Sequence, residues 1–93
     1  MQRGGRRRQT QNFVLAFGQN PGGTTARLGV TVSAKVGNAV VRNHVKRRVR
    51  EAFRALRSRI PITTEIVVIA RPGAAPLSQR AITTELAGVF VVA

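Results

Sequence analysis

The sequence predicts an α+β fold, a small sheet packed with a long basic helix, and three observations carry that prediction. Residues 13–17 and 27–32 alternate apolar with small or polar side chains at the period of two that half-buried strands require. Residues 38–58 place Val41, Val45, Val49, Ala52, Phe53 and Leu56 on one helical stripe, the pattern of a core-facing helix. Residues 65–70 form a continuous apolar run of strand length. The order strand, strand, helix, strand, helix has no internal repeat and no dividing linker, and it suits helices laid on a small sheet.

Taken in order, residues 1–11 hold Arg3, Arg6, Arg7 and Arg8 among Gly, Gln and Thr, with almost nothing to bury. They read as a basic mobile arm, and residues 12–93 as a single α+β domain. In the first strand Phe13, Leu15 and Phe17 share one face and Val14 and Ala16 the other. Asn20-Pro21-Gly22-Gly23 is a turn signal, so residues 27–32 are expected to return as the hairpin partner of the first strand. There Leu28, Val30 and Val32 face the core, Gly29 and Thr31 the open side, and mid-strand Gly29 suits close approach of a ligand or another backbone. Asn38 is placed to cap the long helix, which should end before Pro61. The 65–70 run is expected to be central and covered on both faces. Ser78 is placed to cap a last helix whose Ile82, Leu86, Val89 and Phe90 share a face.

Charge narrows the partners. Sixteen Lys and Arg against three Glu and no Asp give a formal +13 on 93 residues, a field that opposes folding until an anion neutralises it. Eight of those sixteen cations lie between Arg42 and Arg59. Arg42, Lys46, Arg50 and Arg54 form an i,i+4 ladder of like charge, and such neighbours repel by a few tenths of a kcal/mol each, at about that scale. A merely solvated face would mix signs. The ladder therefore points to a polyanion, with nucleic acid ahead of a membrane surface, because the helix carries Val, Ala, one Phe and one Leu rather than the Trp or clustered Leu of membrane-active helices. The apolar C-terminal residues 89–93 are too few to span a bilayer, and the arginines near the N-terminus are followed by no signal-peptide core.

The inventory for chemistry is nearly empty. There is no Cys, Tyr or Asp, His44 is the sole histidine, and Glu51, Glu65 and Glu85 fall on three different predicted elements. Neither a carboxylate cluster for metal ions nor an acid–base pair is available, so no catalytic residue is expected. Zinc-ligand spacing, a short helix ahead of the basic one and aromatic RNA-recognition strands are also missing.

Several stretches nevertheless carry a resemblance: Arg27-Leu28-Gly29-Val30-Thr31-Val32-Ser33, Lys35-Val36-Gly37-Asn38-Ala39-Val40, Arg42-Asn43-His44-Val45-Lys46-Arg47, Arg50-Glu51-Ala52-Phe53 and Ile66-Val67-Val68-Ile69-Ala70-Arg71-Pro72. Together they resemble the signature of the bacterial ribonuclease P protein component. The resemblance implies a left-handed crossover of the signature helix between parallel strands, an exception to the usual hand. The lack of cysteine fits a cytoplasmic setting, and the resemblance implies a protein that binds a catalytic RNA subunit, one protein per RNA, and the 5′ leader of precursor tRNA. The RNA would hold Mg2+ and perform the hydrolysis, with no metal in the protein itself. By motif match the RNA-contacting residues are Lys35, Arg42, Asn43, His44, Lys46, Arg47 and Arg50, with Arg54 continuing the ladder. Val14, Ala16, Gly29 and Thr31 would line the leader cleft between helix and sheet.

Three departures follow from the same comparison. His44 stands where the family usually has Arg, which makes one phosphate contact weaker or pH-dependent. The family's N-terminal helix, with its cleft-lining aromatics, has no counterpart in the sequence. Ala16 stands where relatives commonly present an aromatic ring, and stacking a base on such a ring contributes about 1–3 kcal/mol. A ribosomal or nucleoid binder of RNA or DNA is the alternative from another class.

Overall fold

The computed structural model describes residues 6–90. In chain order these form β1 (Arg6–Gln9), β2 (Phe13–Gln19), β3 (Arg27–Val32), α1 (Ala39–Leu56), β4 (Thr64–Ala70) and α2 (Gln79–Phe90), with short 3-10 turns at Arg57–Arg59 and Pro72–Ala74. The four strands make one sheet in the order β1-β2-β4-β3.

Strand β4 is central but not doubly covered. It pairs antiparallel with β2, from Phe13 opposite Ala70 to Gln19 opposite Thr64, and parallel with β3, from Arg27 opposite Glu65 to Val32 opposite Ala70. Along β4, Ile66, Val68 and Ala70 are buried while Val67 is 42% exposed. An unbroken apolar run does not reveal that every second residue faces outward; the helices occupy one side only. Two further expectations change. The turn at Asn20–Gly23 forms, with Gly23 N–H donating to the Asn20 carbonyl at 2.8 Å, yet β2 and β3 are not partners, because β4 lies between them. A turn signal fixes reversal of direction, not adjacency. Nor is the whole basic arm mobile: Arg6–Gln9 pair in antiparallel register with β2, Arg6 opposite Phe17 and Gln9 opposite Val14. Backbone hydrogen bonds to an open sheet edge supply what side-chain burial could not. Residues 1–5 of the arm lie outside the described residues.

The dry side of the sheet carries Phe13, Leu15, Ile66, Val68, Ala70 and Val32, and both helices bury against it in one cluster. Helix α1 contributes Val45, Val49, Ala52, Phe53 and Leu56; α2 contributes Ile82, Leu86, Val89 and Phe90. The Phe53 and Phe90 rings meet edge to face, centroids 6.1 Å apart at 79°, a favoured aromatic geometry. Both predicted caps are made. Asn38 Oδ1 accepts from Val41 N–H at 3.0 Å, and Ser78 Oγ accepts from Ala81 N–H at 3.1 Å, satisfying donors that the first helical turn leaves free. Gly37 precedes the first cap for a steric reason: a Cβ there would stand 2.8 Å from Val41 Cγ1.

A polar latch ties α2 to the β1–β2 turn. The Glu85 carboxylate accepts from Asn12 N–H and Asn12 Nδ2, both at 2.8 Å, and from the Thr10 hydroxyl. The Asn12 carbonyl accepts in turn from Arg71 N–H at 2.9 Å. Burial pushes the Glu85 carboxyl up, but the bonds from Thr10 and Asn12 outweigh it and hold the group below the ordinary glutamate value of 4.5. A carboxyl with a lower pKa folded than unfolded stabilises fully above the unfolded value, and that contribution is lost as pH falls through the folded one. Acid melts should therefore show the wild type losing stability more steeply below the ordinary glutamate range than Glu85→Gln. At neutral pH Glu85→Gln, which turns an acceptor into a donor facing donors, should cost about 1–2 kcal/mol in urea unfolding.

Candidate nucleic-acid interface

Helix α1 sorts its own residues. Because Val45, Val49, Ala52, Phe53 and Leu56 are fixed in the core, the rotation of the helix is set and the cationic arc must face out. Arg47, Arg50 and Arg54 are exposed with Asn43 and His44, while Arg42 and Lys46 are half-buried at the margin of the core stripe. Val41, the first stripe residue, packs partly buried against the cluster. Past the helix, the 3-10 turn adds Arg57 and Arg59, and the Arg57 guanidinium lies 5.5 Å from the centre of the Phe53 ring, within cation–π range.

No acid among the described residues neutralises this arc. Among the described residues the one salt bridge is Arg27–Glu65, 3.6 Å apart across β3 and β4, and its exposure limits it to at most about 1 kcal/mol. Glu51 is exposed on α1 without a cation in salt-bridge range among the described residues. The first turn of α1 has no acidic side chain either, so the positive end of the helix dipole is uncompensated there. Lys35 is exposed in the turn before the cap, its N–H donating to Ser33 Oγ at 3.3 Å. Arg42 Nε is shut off from solvent and meets no acceptor among the described residues. A buried donor without an acceptor is uncommon and costly in a protein by itself.

The second group of candidates lies elsewhere. Val14, Ala16, Gly29 and Thr31 all sit on the sheet face turned away from α1 and α2, since each has the opposite parity to the buried residues of its strand. The expected cleft between helix and sheet is thus, for these four, an open sheet surface, and no described helix covers it. The ladders draw them together. One row across the strands runs Arg7, Ala16, Val67, Gly29; the next runs Gln9, Val14, Ile69, Thr31. Val67 and Ile69 occupy the middle of this floor and were hidden by the apolar run; their parity with Glu65 was the available signal. Arg71 follows at the end, its Nη2 donating to Gln9 Oε1 at 2.5 Å. The three glutamates stay apart: Glu51 on α1, Glu65 beside Arg27, Glu85 in the latch. Among the described residues no three His, Cys, Asp or Glu side chains gather as metal ligands would, and no helix is long and apolar enough to cross a membrane.

Comparison with known proteins decides the family. The family model Ribonuclease P matches residues 1–93. The chain belongs to the ribonuclease P protein family. It is 45% identical over 92 residues to the ribonuclease P protein component of Syntrophobacter fumaroxidans, covering 98% of this chain and 76% of that one. With the component from Brevibacillus brevis it shares 44% over 80 residues, 86% of this chain and 64% of the relative, so it spans just under two thirds of that protein. Among solved structures, the RNase P protein from Thermotoga maritima, in complex with 1-(4-fluorophenyl)-2-thiourea, superposes with a TM-score of 0.86 at 32% identity, covering 97% of this chain and 87% of that one. The Staphylococcus aureus RNase P protein gives 0.81 at 38%, covering 91% and 77%.

An uncompensated arc of this kind predicts that anions stabilise the fold. Sulfate or phosphate at millimolar concentration should raise the melting temperature of the free protein, and more than chloride at equal ionic strength. Identical melts in the three salts would remove α1 as an anion site.

Proposed function

We propose that this chain acts as the protein subunit of ribonuclease P in tRNA 5′ maturation. It binds a catalytic RNA through α1 and the 5′ leader of precursor tRNA over the open sheet face, and the RNA carries out the cleavage. The observation that carries the reading is the cationic ladder Arg42–Lys46–Arg50–Arg54, without a salt bridge among the described residues, within a chain that belongs to this family.

The residues can bind, orient and neutralise. Arg42, Arg47, Arg50 and Arg54 present guanidinium forks suited to phosphate oxygens, Lys46 and Lys35 present point charges, and Asn43 can donate or accept at a base or sugar edge. Holding several phosphates releases counterions and lowers the repulsion between RNA segments brought together. The separated glutamates do not fit a protein-held metal site. In this reading Mg2+ is held by the RNA, where it would activate water and stabilise the departing oxygen. Partnership with one RNA and a cytoplasmic setting belong to the same reading.

Processing at low magnesium tests it. With its cognate RNA and precursor tRNA, the protein should raise the rate of 5′ leader removal where the RNA alone is slow; no gain would overturn the assignment. Equal affinity for duplex DNA, random RNA and the cognate RNA would favour a general nucleic-acid binder instead. Arg42→Ala and Lys46→Ala should each weaken RNA binding and flatten the plot of log affinity against log salt by about one ion.

A further inference from the structure

Strand β1 is not accounted for by the contacts assigned to α1. It is the edge of the sheet farthest from β3, three strand spacings or about 14 Å away. Three of its four residues are consecutive arginines, and none has an acid within salt-bridge reach among the described residues. Their side chains alternate about the edge. Arg7 extends the row of Ala16, Val67 and Gly29 on the open face, whereas Arg6 and Arg8 stand opposite Phe17 and Leu15 on the other side. The strand is held at both ends of its register, by β2 along its length and by the Arg71–Gln9 bond at its close.

A charged edge can serve merely to prevent sheet-to-sheet aggregation. That purpose needs one cation and is met well by Lys; three adjacent arginines repel one another and bring the planar fork that matches phosphate. The floor beside them supplies the other half of the argument. All four aromatic residues are phenylalanines, and none lies on the open face: Phe13 and Phe17 take the core parity of β2, and Phe53 and Phe90 meet between the helices. The open face offers Val14, Ala16, Val67, Ile69, Gly29 and Thr31, which give a base something apolar to lie on but no ring to stack against. Whatever nucleic acid crosses this surface must be held chiefly by its phosphates; Arg27 on the far rim is paired with Glu65 and Arg71 is tied to Gln9, so the cations left without an acidic partner beside the floor, among the described residues, are those of β1.

We propose that Arg6, Arg7 and Arg8 form a second phosphate-binding edge, gripping the sugar–phosphate backbone of a single-stranded RNA segment as it leaves the open sheet face and passes over β1, Arg7 from the open face and Arg6 and Arg8 from the other side of the edge. Naming the segment as the 5′ leader rests on the ribonuclease P reading; the grip does not. The grip is indifferent to base identity, and it engages only segments long enough to reach across the sheet to β1.

The test uses an Arg6→Gln/Arg7→Gln/Arg8→Gln protein and a matching triple Lys protein, each assembled with the cognate RNA. Affinity is measured over a salt series for precursor tRNA, for mature tRNA and for a precursor whose leader is abasic. The Gln protein should bind precursor more weakly, with the salt slope flattened by about 2, three contacts at about 0.7 ion each on a single strand. The abasic leader should show the same loss, mature tRNA none, and the Lys protein should recover the slope. An unchanged slope, an equal loss with mature tRNA, or a loss that disappears with the abasic leader would each overturn the proposal. If the wild-type complex fails to assemble, or does not prefer precursor to mature tRNA, the ribonuclease P reading fails instead. The grip is then judged on the free protein with an unstructured RNA homopolymer, by the same difference in slope between wild type and the Gln protein.

Discussion

Everything in this fold depends on the two-sidedness of β4. The strand is bonded along both edges, to β2 antiparallel and to β3 parallel, so its backbone is satisfied whichever face is covered. What distinguishes the faces is where Ile66, Val68 and Ala70 go. Once they are buried beneath the helices, parity assigns every other sheet residue to the dry or the wet side. It also sets the rotation of α1, since its apolar stripe has only one surface to meet. The outward direction of the cationic arc is thus a consequence of packing, achieved without a single ion pair on the helix among the described residues.

Two cationic surfaces then arise by different means. On α1 the charges are held by helical geometry around a buried stripe, and the cost of mutual repulsion is met by the core that Phe53, Leu56 and Phe90 build beneath them. On β1 there is little burial to offset repulsion, and the strand is kept in place by backbone pairing with β2 and by the Glu85 latch on the adjoining turn. Helix α1 packs on the dry side of the sheet against β3, while β1 forms the opposite edge, so the two cationic surfaces stand at opposite ends of the strand order.

Much of this was legible in the sequence, and for identifiable reasons. The helix, its caps at Asn38 and Ser78, its core stripe and its charged arc all depend on near neighbours in the chain, and local pattern reports local geometry well. The alternation in residues 13–17 and 27–32 likewise placed Val14, Ala16, Gly29 and Thr31 on the correct side of their strands. What the pattern could not report was which strands are adjacent and which face is covered. The order β1-β2-β4-β3 is a tertiary result, and the turn at Asn20–Gly23 carries no sign that β4 separates β2 from β3. Val67 and Ile69 were missed because a strand of Ile and Val looks the same whether or not its second face is dry. The strand at Arg6–Gln9 was missed because its stabilisation comes from backbone groups, on which arginine side chains are silent.

The register of β4 also governs how the chain comes to be folded. Arg27 pairs with Glu65, 65 − 27 = 38 residues later, and Phe13 pairs with Ala70, 70 − 13 = 57 residues later. Only β1 and β2 can zip locally; the rest of the sheet waits for its last strand, and loop closures of that length are slow relative to helix formation. During that wait α1 can form but has nothing to pack on, and its like charges oppose the collapse that would bring β4 home. A polyanion that engages the helix early would remove that opposition. On the ribonuclease P reading, the RNA would therefore also speed the folding of its protein, with assembly and folding becoming one kinetic event.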